Sequence, residues 1–207
     1  MKDYSQYGES TILSEIFDTI GTVNKFCVEF GASDGYWLSN IRMFIEKGWN
    51  SLQMDYNNKD NNDVKKEFIT AENINDLFLK YSVPKEFDLL SIDMDGNDYW
   101  IWEKMEYSPS VVIIEYNSNF THDDCVSLEY NPDQTFDGTY AYSASLKALK
   151  KLGERKGYFL HKEVAFTNLI FVKNKFKGIL DELETSSINL PFHHHEQTLR
   201  NKKFIKV

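Results

Sequence analysis

A short apolar segment runs into a turn with two glycines, and this pattern constrains the fold more than any other feature of the chain. Residues 26–30, Phe-Cys-Val-Glu-Phe, have the composition of a buried strand. Gly31 and Gly35 then allow the backbone to turn tightly and approach a ligand, and Ser39 or Asn40 can cap the helix that follows. A strand, a tight turn and a helix in this order predict a cofactor cradle at one end of an α/β sheet.

The spacing of the acid and the glycines indicates which cofactor this cradle suits. The dinucleotide pattern Gly-x-Gly-x-x-Gly is absent, since the segment has Glu29-x-Gly31-x-x-x-Gly35 with Ser33 at the middle position. An acid before the first glycine suits a cationic ligand, and the amides of the turn suit a carboxylate. S-adenosylmethionine offers both a sulfonium and an amino acid group. The cofactor contacts predicted in this segment are Glu29, Gly31, Ser33, Asp34, Gly35, Ser39 and Asn40.

Size and composition set the outer limits. The chain has 207 residues, a formal net charge of -9 and two cysteines. These values favour one globular domain in a reducing compartment and argue against nucleic acid as the partner. We find neither a signal peptide nor a stretch long enough to cross a membrane, so we expect a cytoplasmic protein with no membrane partner. We place the domain at 1–175 and a C-terminal extension of unknown role at 176–207.

Apolar strand candidates alternate with helical segments, which is typical of an α/β sheet. This order matches a Rossmann-like, seven-stranded class I methyltransferase sheet with helices on both faces and the last two strands antiparallel. Its ligands bind outside the carboxyl ends of the strands. The predicted strands are 26–30, 51–55, 67–70, 87–93, 111–116, 157–161 and 167–173. The predicted helices are 9–20, 39–47, 73–81, 98–105 and 143–156, the last capped by Ser143.

Two further segments are candidates for contact with the nucleoside. Asp55 ends the second strand about one βαβ unit after the glycine turn, where a carboxylate can accept both ribose hydroxyls. Ala71, Glu72 and Asn73 form a polar turn that could contact adenine. Asn73 is equally well explained as a helix cap.

The densest polar cluster follows the fourth strand, in Asp93-Met-Asp95-Gly-Asn97-Asp98. A carboxylate here could act as a base on an acceptor hydroxyl, and we take Asp93 and Asp95 as the candidate catalytic residues. Asp93 is also a predicted cofactor contact. Carboxylates also suit Mg²⁺ or Mn²⁺, which lower the pKa of a bound hydroxyl. An EF-hand is excluded because an apolar helix replaces the closing glutamate.

The fifth strand adds a second acid and an amide at the neighbouring strand end. Asp93, Glu115 and Asn117 form a possible three-ligand metal set, similar to the strand-end arrangement of metal-dependent O-methyltransferases. The alternative is that Glu115 binds backbone amides of the long excursion at 117–142. Excursions of this length are often functional. The predicted acceptor contacts are Asn97, Tyr116, Asn117 and Tyr140.

Several of these motifs in order resemble the FkbM-like family of class I S-adenosylmethionine-dependent methyltransferases. They are Tyr4-Ser-Gln-Tyr-Gly-Glu9, Val28 to Gly35 with Ser39-Asn40, Lys47-Gly-Trp49, Asp88 to Trp100 and Val112 to Asn117. The resemblance implies methyl transfer, commonly to a hydroxyl of a sugar, of a capsule or other polysaccharide precursor, or of a secondary metabolite. It also implies that Gln6 helps to close the cofactor site. The tail has no counterpart in this family pattern.

The sequence therefore predicts an SN2 methyltransferase that acts on a small-molecule or sugar acceptor, for example a nucleotide-sugar. Two other classes of function stay open. One is an oxidoreductase that binds NAD, which the missing middle glycine argues against. The other is a non-catalytic binding module on a methyltransferase fold. The sequence leaves the oligomeric state open, with a homodimer as one option.

Overall fold

The structure is a computed structural model that describes residues 2–57, 63–191 and 203–207. Helices and strands alternate through most of its length, as the apolar periodicity predicts. The α-helices are α1 Glu9–Ile20, α2 Arg42–Glu46, α3 Ile74–Lys80, α4 Asp98–Lys104 and α5 Leu146–Arg155. The strands are β1 Phe26–Phe30, β2 Asn50–Asp55, β3 Val64–Lys66, β4 Glu86–Ile92, β5 Ser108–Glu115, β6 Val126–Leu128, β7 Tyr158–Val164, β8 Asn168–Lys173 and β9 Phe204–Lys206.

Seven strands form one sheet in the order β3-β2-β1-β4-β5-β8-β7. The pairs from β3 to β5 are parallel, whereas β8 is antiparallel to both β5 and β7. The predicted fold class, a Rossmann-like seven-stranded α/β sheet that ends in an antiparallel hairpin, is therefore confirmed. From β1 the chain adds β2 and β3 on one side, and it then returns to add β4 on the other side of β1. Open α/β sheets bind ligands at such a switch point, which here lies between β1 and β4.

The core lies on both faces of this sheet because successive strand side chains point to opposite sides. Cys27 and Leu89 pack with α1 and α2 on one face, and Val28 and Leu90 pack with α3, α4 and α5 on the other. Both faces of β1 and β4 are thus buried, which explains their nearly continuous apolar sequences. Their carboxyl ends hold the polar residues and open onto solvent.

Three local predictions are wrong. The third strand is Val64–Lys66 and not 67–70, so the residues that follow it begin four positions earlier than expected. The helix predicted at 39–47 begins at Arg42, after Ser39, whose hydroxyl accepts from the Arg42 amide at 3.0 Å. The cap of α5 is Ser145 and not Ser143, because only the Ser145 hydroxyl accepts from the Ala148 amide. Ser143 donates to the Glu115 carbonyl at 2.7 Å.

The excursion at 117–142 and the tail form a second, two-stranded sheet, in which β6 and β9 are antiparallel. Ile188 and Leu190 of the tail are also buried in the core. The division at residue 175 stays a prediction. The run His193-His194-His195, interpreted in the sequence as a solvated loop, lies outside the described residues. Within the described chain, no helix combines the length and the apolar character needed to cross a bilayer.

Candidate functional site

A cleft of about 660 Å³ lies at the carboxyl ends of β1, β2 and β4. Its size is within the range of small-molecule and cofactor sites. The sheet order places β1 between β2 and β4, so the ends of β2 and β4 are roughly 10 Å apart across this cleft. Of the predicted site residues, it is lined by Glu29, Gly31, Ser33, Asp34, Ser39, Asn40, Asp55, Asp93 and Asp95.

The first turn is held against the end of β4 by its glycine. A Cβ atom on Gly31 would collide with the backbone carbonyl of Asp93, and the φ angle of Gly31 is +70°. Glycine is required here for close packing as well as for its backbone conformation. Ser33 then donates its amide to Asp55 Oδ2 at 2.8 Å, which connects the turn to the end of β2. Gly35, which is absent from the cleft wall, accepts from Gln53 Nε2 at 3.2 Å.

Glu29 holds the segment after the turn through hydrogen bonds. Its carboxylate accepts from Ser39 Oγ at 2.7 Å, from the Asn40 amide at 2.7 Å and from Gln53 Nε2 at 2.9 Å. Burial raises the pKa of Glu29, and these hydrogen bonds oppose that shift. With three donors on its two oxygens, Glu29 positions the loop that carries Ser39 and Asn40.

Asp55 is oriented by two backbone amides. It is half-buried at the end of β2, and its two oxygens accept from the backbone amides of Ser33 and Asn57 at 2.8 and 2.7 Å. Each carboxylate oxygen can accept more than one hydrogen bond, so the side chain is oriented and retains acceptor capacity toward the cleft.

The predicted adenine turn does not line the cleft. Asn73 accepts from the Thr70 amide and donates to the Phe68 carbonyl, both at 2.8 Å, and Ala71 and Glu72 bind the Tyr130 hydroxyl. Glu67, Phe68 and Ile69 line the cleft in their place. The prediction was too far along the chain because it treated 67–70 as the third strand. Ala71, Glu72 and Asn73 connect the sheet to the excursion.

Three carboxylates meet at the ends of β4 and β5. One oxygen of each of Asp93, Asp95 and Glu115 lies within 4.8 Å of the others. Burial and the neighbouring Asp95 and Asp98 raise the pKa of Asp93 to about 8, and burial with Asp98 raises the pKa of Asp95 to about 6. Burial and Asp93 likewise raise the pKa of Glu115. Within the described chain, Glu115 Oε2 is buried without a hydrogen-bond partner.

The remaining polar residues after β4 have structural contacts. Asp98 accepts from the Met94 and Gly96 amides at 2.8 and 2.9 Å and so closes the loop that carries Asp95. Asn97 donates to the Asn131 carbonyl at 2.7 Å and accepts from the Asn131 amide at 3.4 Å. The Asn97 amide therefore fixes the excursion to α4, and its contact with the acceptor stays a prediction.

Asn117 and Tyr116 are also structural, which corrects two predictions. The amide nitrogen of Asn117 donates to the Tyr140 and Tyr142 carbonyls, and its oxygen accepts twice from Asn119. No lone pair of that oxygen is left for a metal ion or an acceptor. Tyr116 is fully buried and donates to Glu163 at 3.2 Å. Asp95 takes the place of Asn117 in the cluster.

Two other predicted contacts lie outside the cleft wall. Gln6 is exposed, and its Nε2 donates to the Tyr7 hydroxyl at 3.1 Å. Its segment approaches the turn through a backbone bridge between Ser5 and Leu38. Tyr140 is 41% exposed, and its carbonyl accepts from Asn117.

Sequence reasoning missed the residues that the excursion contributes. Gln134, Thr135 and Phe136 line the cleft, and Tyr142 lies near the three carboxylates, where burial and Glu115 raise its pKa. The length and polarity of the excursion were the available signal, but they did not indicate which of its residues return to the strand ends.

Comparison with solved structures finds chains of limited similarity. Similar solved structures include the N-terminal domain of EvdMO1 with SAH bound, at 11% identity and a TM-score of 0.44 over 80% of each chain. An O-methyltransferase family protein from Burkholderia thailandensis has 10% identity and a TM-score of 0.46, over 79% of this chain and 55% of that one. An S-adenosylmethionine-dependent methyltransferase from Clostridium acetobutylicum ATCC 824 has 12% identity and a TM-score of 0.43, over 81% and 92%.

These similarities concern the fold alone. No protein-family model matches the chain, and no curated protein matches it. The resemblance to the FkbM-like family therefore stays a prediction, and the function must be argued from the cleft itself.

Proposed function

We propose that this chain is an S-adenosylmethionine-dependent methyltransferase that methylates a hydroxyl group of a sugar. The proposal depends on one observation: the cleft has a hydrogen-bonded carboxylate on one side and, among the described residues, carboxylates without hydrogen-bond donors on the other. Asp55, oriented by two backbone amides, is at the end of β2. Asp93 and Asp95, which lack such donors within the described chain, are at the end of β4.

The cofactor would lie along the strand ends. Asp55 suits the ribose hydroxyls, the turn after Gly31 suits the amino acid group, and Phe68 and Ile69 offer an apolar surface for the adenine. The separation of roughly 10 Å between the ends of β2 and β4 would bring the sulfonium toward Asp93 and Asp95. A methyl group placed there faces the carboxylates that can receive a proton.

The reaction would be a single displacement. The acceptor oxygen attacks the methyl carbon, the bond from carbon to sulfur breaks, and its electron pair stays on sulfur to give S-adenosylhomocysteine. The proton of the hydroxyl passes to Asp95, which lines the cleft on the loop after β4. Holding oxygen, carbon and sulfur in line supplies much of the rate.

A divalent cation is a second element of the proposal. Three carboxylate oxygens within 4.8 Å, one buried oxygen of Glu115 without a partner, and the hard character of these ligands fit Mg²⁺ or Mn²⁺. Asp93, Asp95 and Glu115 would hold it. Such an ion would lower the pKa of a bound hydroxyl and offset the repulsion among the carboxylates.

The two other classes of function fit the cleft less well. A dinucleotide would bring its diphosphate to a wall of carboxylates, where like charges repel. A non-catalytic module would keep three repelling carboxylates together without using them, and such arrangements usually persist for function.

Calorimetric titration tests the proposal directly. We expect S-adenosylhomocysteine to bind and NAD not to bind, with the same result for S-adenosylmethionine in place of its product. Asp55→Ala should weaken binding of S-adenosylhomocysteine about tenfold, because a hydrogen bond to a charged group is lost. Asp76→Asn, which changes an exposed acid on α3, is the matched control. Preferential binding of NAD would contradict the proposal.

A further inference from the structure

The wall of the cleft is acidic. Among the described residues, every charged side chain on its wall is an acid: Glu29, Asp34, Asp55, Glu67, Asp93 and Asp95. The whole chain has 23 Lys and Arg residues and 32 Asp and Glu residues. This excess of acids is too small to explain why the cleft wall has no Lys or Arg among the described residues. Glu67 is paired with Lys80 at 2.5 Å, whereas Asp55, Asp93 and Asp95 make no ion pair within the described chain.

The cofactor would leave this wall negative. S-adenosylmethionine has an ammonium, a sulfonium and a carboxylate, which together give one positive charge. The sulfonium would offset one negative charge near Asp93 and Asp95, and the other acids of the wall, such as Asp55, would have no such partner from the cofactor. In a narrow site with low-dielectric walls, the remaining negative charge acts strongly on any second ligand. An anionic group beside Asp95 would be repelled.

The excursion completes the acceptor side with uncharged groups. Gln134 and Thr135 offer an amide and a hydroxyl, and Phe136 exposes 54% of its surface while it lines the cleft. A large exposed aromatic ring beside hydrogen-bonding groups suits the C–H face of a sugar ring, and it also attracts cations. Within the described chain, no Lys or Arg lines the cleft, so its wall offers no cation to a phosphate.

We infer that the acceptor has neither phosphate nor carboxylate: it is an unphosphorylated sugar, and an amino sugar is favoured over its neutral counterpart. The inference rests on the proposed function and narrows the acceptor class, because the sequence also allows nucleotide-sugars. Methyl transfer would therefore act on sugars that are free or joined through uncharged glycosidic bonds.

Matched ligands test this inference on the full chain loaded with S-adenosylhomocysteine. Saturation-transfer NMR and calorimetry with glucose, glucosamine, glucose 6-phosphate and UDP-glucose compare one sugar ring with different charges. We expect glucosamine to bind at least as tightly as glucose, and both phosphorylated ligands to bind about tenfold or more weakly. The series is run with EDTA and again with Mg²⁺, since a bound cation could attract phosphate.

A substitution at the tip of the excursion provides the second test. Thr135→Lys adds a cation to the cleft wall, and Thr135→Gln is its neutral control of similar length. Both variants lose the Thr135 hydroxyl, so the ratio of the affinities for glucose 6-phosphate and glucose is compared: it should be about tenfold higher in Thr135→Lys than in Thr135→Gln.

The outcomes separate the inference from the proposed function. Failure of S-adenosylhomocysteine to bind would overturn the proposed function. Normal binding of S-adenosylhomocysteine would leave the proposed function standing and overturn the inference in either of two cases. One is that a phosphorylated ligand binds as tightly as glucose, with or without Mg²⁺, and the other is that none of the four sugars binds at millimolar concentration.

Discussion

Asp88 lies near the amino end of β4 and Asp93 directly follows its carboxyl end, and these two carboxylates have opposite surroundings. Asp88, which is fully buried, accepts hydrogen bonds from the amides of Val23, Asn24, Lys25 and Phe26 at 2.6 to 3.4 Å. Asp93 receives no hydrogen bond from the described residues, and it lies beside two other carboxylates. The same residue type is satisfied near the amino end of β4 and unsatisfied just after its carboxyl end.

The difference separates stability from function. A buried carboxylate with four donors fixes the chain before β1 and stabilises the fold. Carboxylates that repel one another lower stability, and such arrangements persist where a ligand uses them. The amino end of β4 is therefore the structural end, and the carboxyl end is the proposed site of chemistry.

The largest expected effect is on turnover. Asp95→Asn should reduce kcat about 10³-fold because the acceptor hydroxyl loses its base, while the affinity for S-adenosylhomocysteine stays the same. Transfer of a labelled methyl group from S-adenosylmethionine to a sugar that the wild-type chain methylates measures kcat, and calorimetry measures the affinity. Unchanged turnover would remove Asp95 from the mechanism.

Removing the satisfied carboxylate should have the next largest effect, on stability. Asp88→Asn replaces an acceptor oxygen with an NH₂ group that faces backbone donors, so we expect the free energy of unfolding to fall by about 3 kcal/mol. Urea denaturation measures this change, with Asp18→Asn on the surface of α1 as the control. If Asp88→Asn lowers the free energy of unfolding no more than the control does, Asp88 is not a stabilising residue and its contrast with Asp93 is wrong.

A divalent cation should stabilise the protein through Asp93, Asp95 and Glu115 at the carboxyl end of β4. Mg²⁺ at tenfold its dissociation constant should raise the free energy of unfolding by about 1.4 kcal/mol, and the gain should be lost in Glu115→Gln. Thermal unfolding with Mg²⁺ and with EDTA measures both. Equal stabilisation of wild type and Glu115→Gln would show that the ion binds elsewhere.

The smallest effect is expected for Asp93→Asn. The change removes no hydrogen bond within the described chain, and it removes a carboxyl whose pKa burial and its acidic neighbours raise to about 8, so the free energy of unfolding should rise by about 1 kcal/mol or less. The same urea denaturation compares it with Asp88→Asn. A loss of more than about 2 kcal/mol would mean that Asp93 is a structural residue like Asp88.

The sequence was sufficient for the features that are encoded locally. The apolar pattern around Val28 and the following Gly31 identified β1 and its turn, because the close approach to the Asp93 carbonyl excludes any side chain. Asp55 and Asp93 could be placed at strand ends because each ends a predicted strand segment with buried apolar residues.

The acceptor side could not be predicted in the same way. The position of Phe136 depends on bonds between distant parts of the chain, such as Asn97 with Asn131 and Trp100 with the Leu128 carbonyl at 2.7 Å. Nothing in the neighbouring residues indicates these partners. For the same reason, Asn117 was interpreted as a ligand, although its amide holds two loop carbonyls.

The central claim is that the cleft beside the turn after β1 binds a sulfonium nucleoside, and a crystal structure after soaking with S-adenosylmethionine tests it most directly. We predict that the ribose hydroxyls lie within hydrogen-bond distance of Asp55 and that the methyl group points toward Asp93 and Asp95. An empty cleft under these conditions, together with a phosphorylated nucleotide bound there in a parallel soak, would contradict the claim.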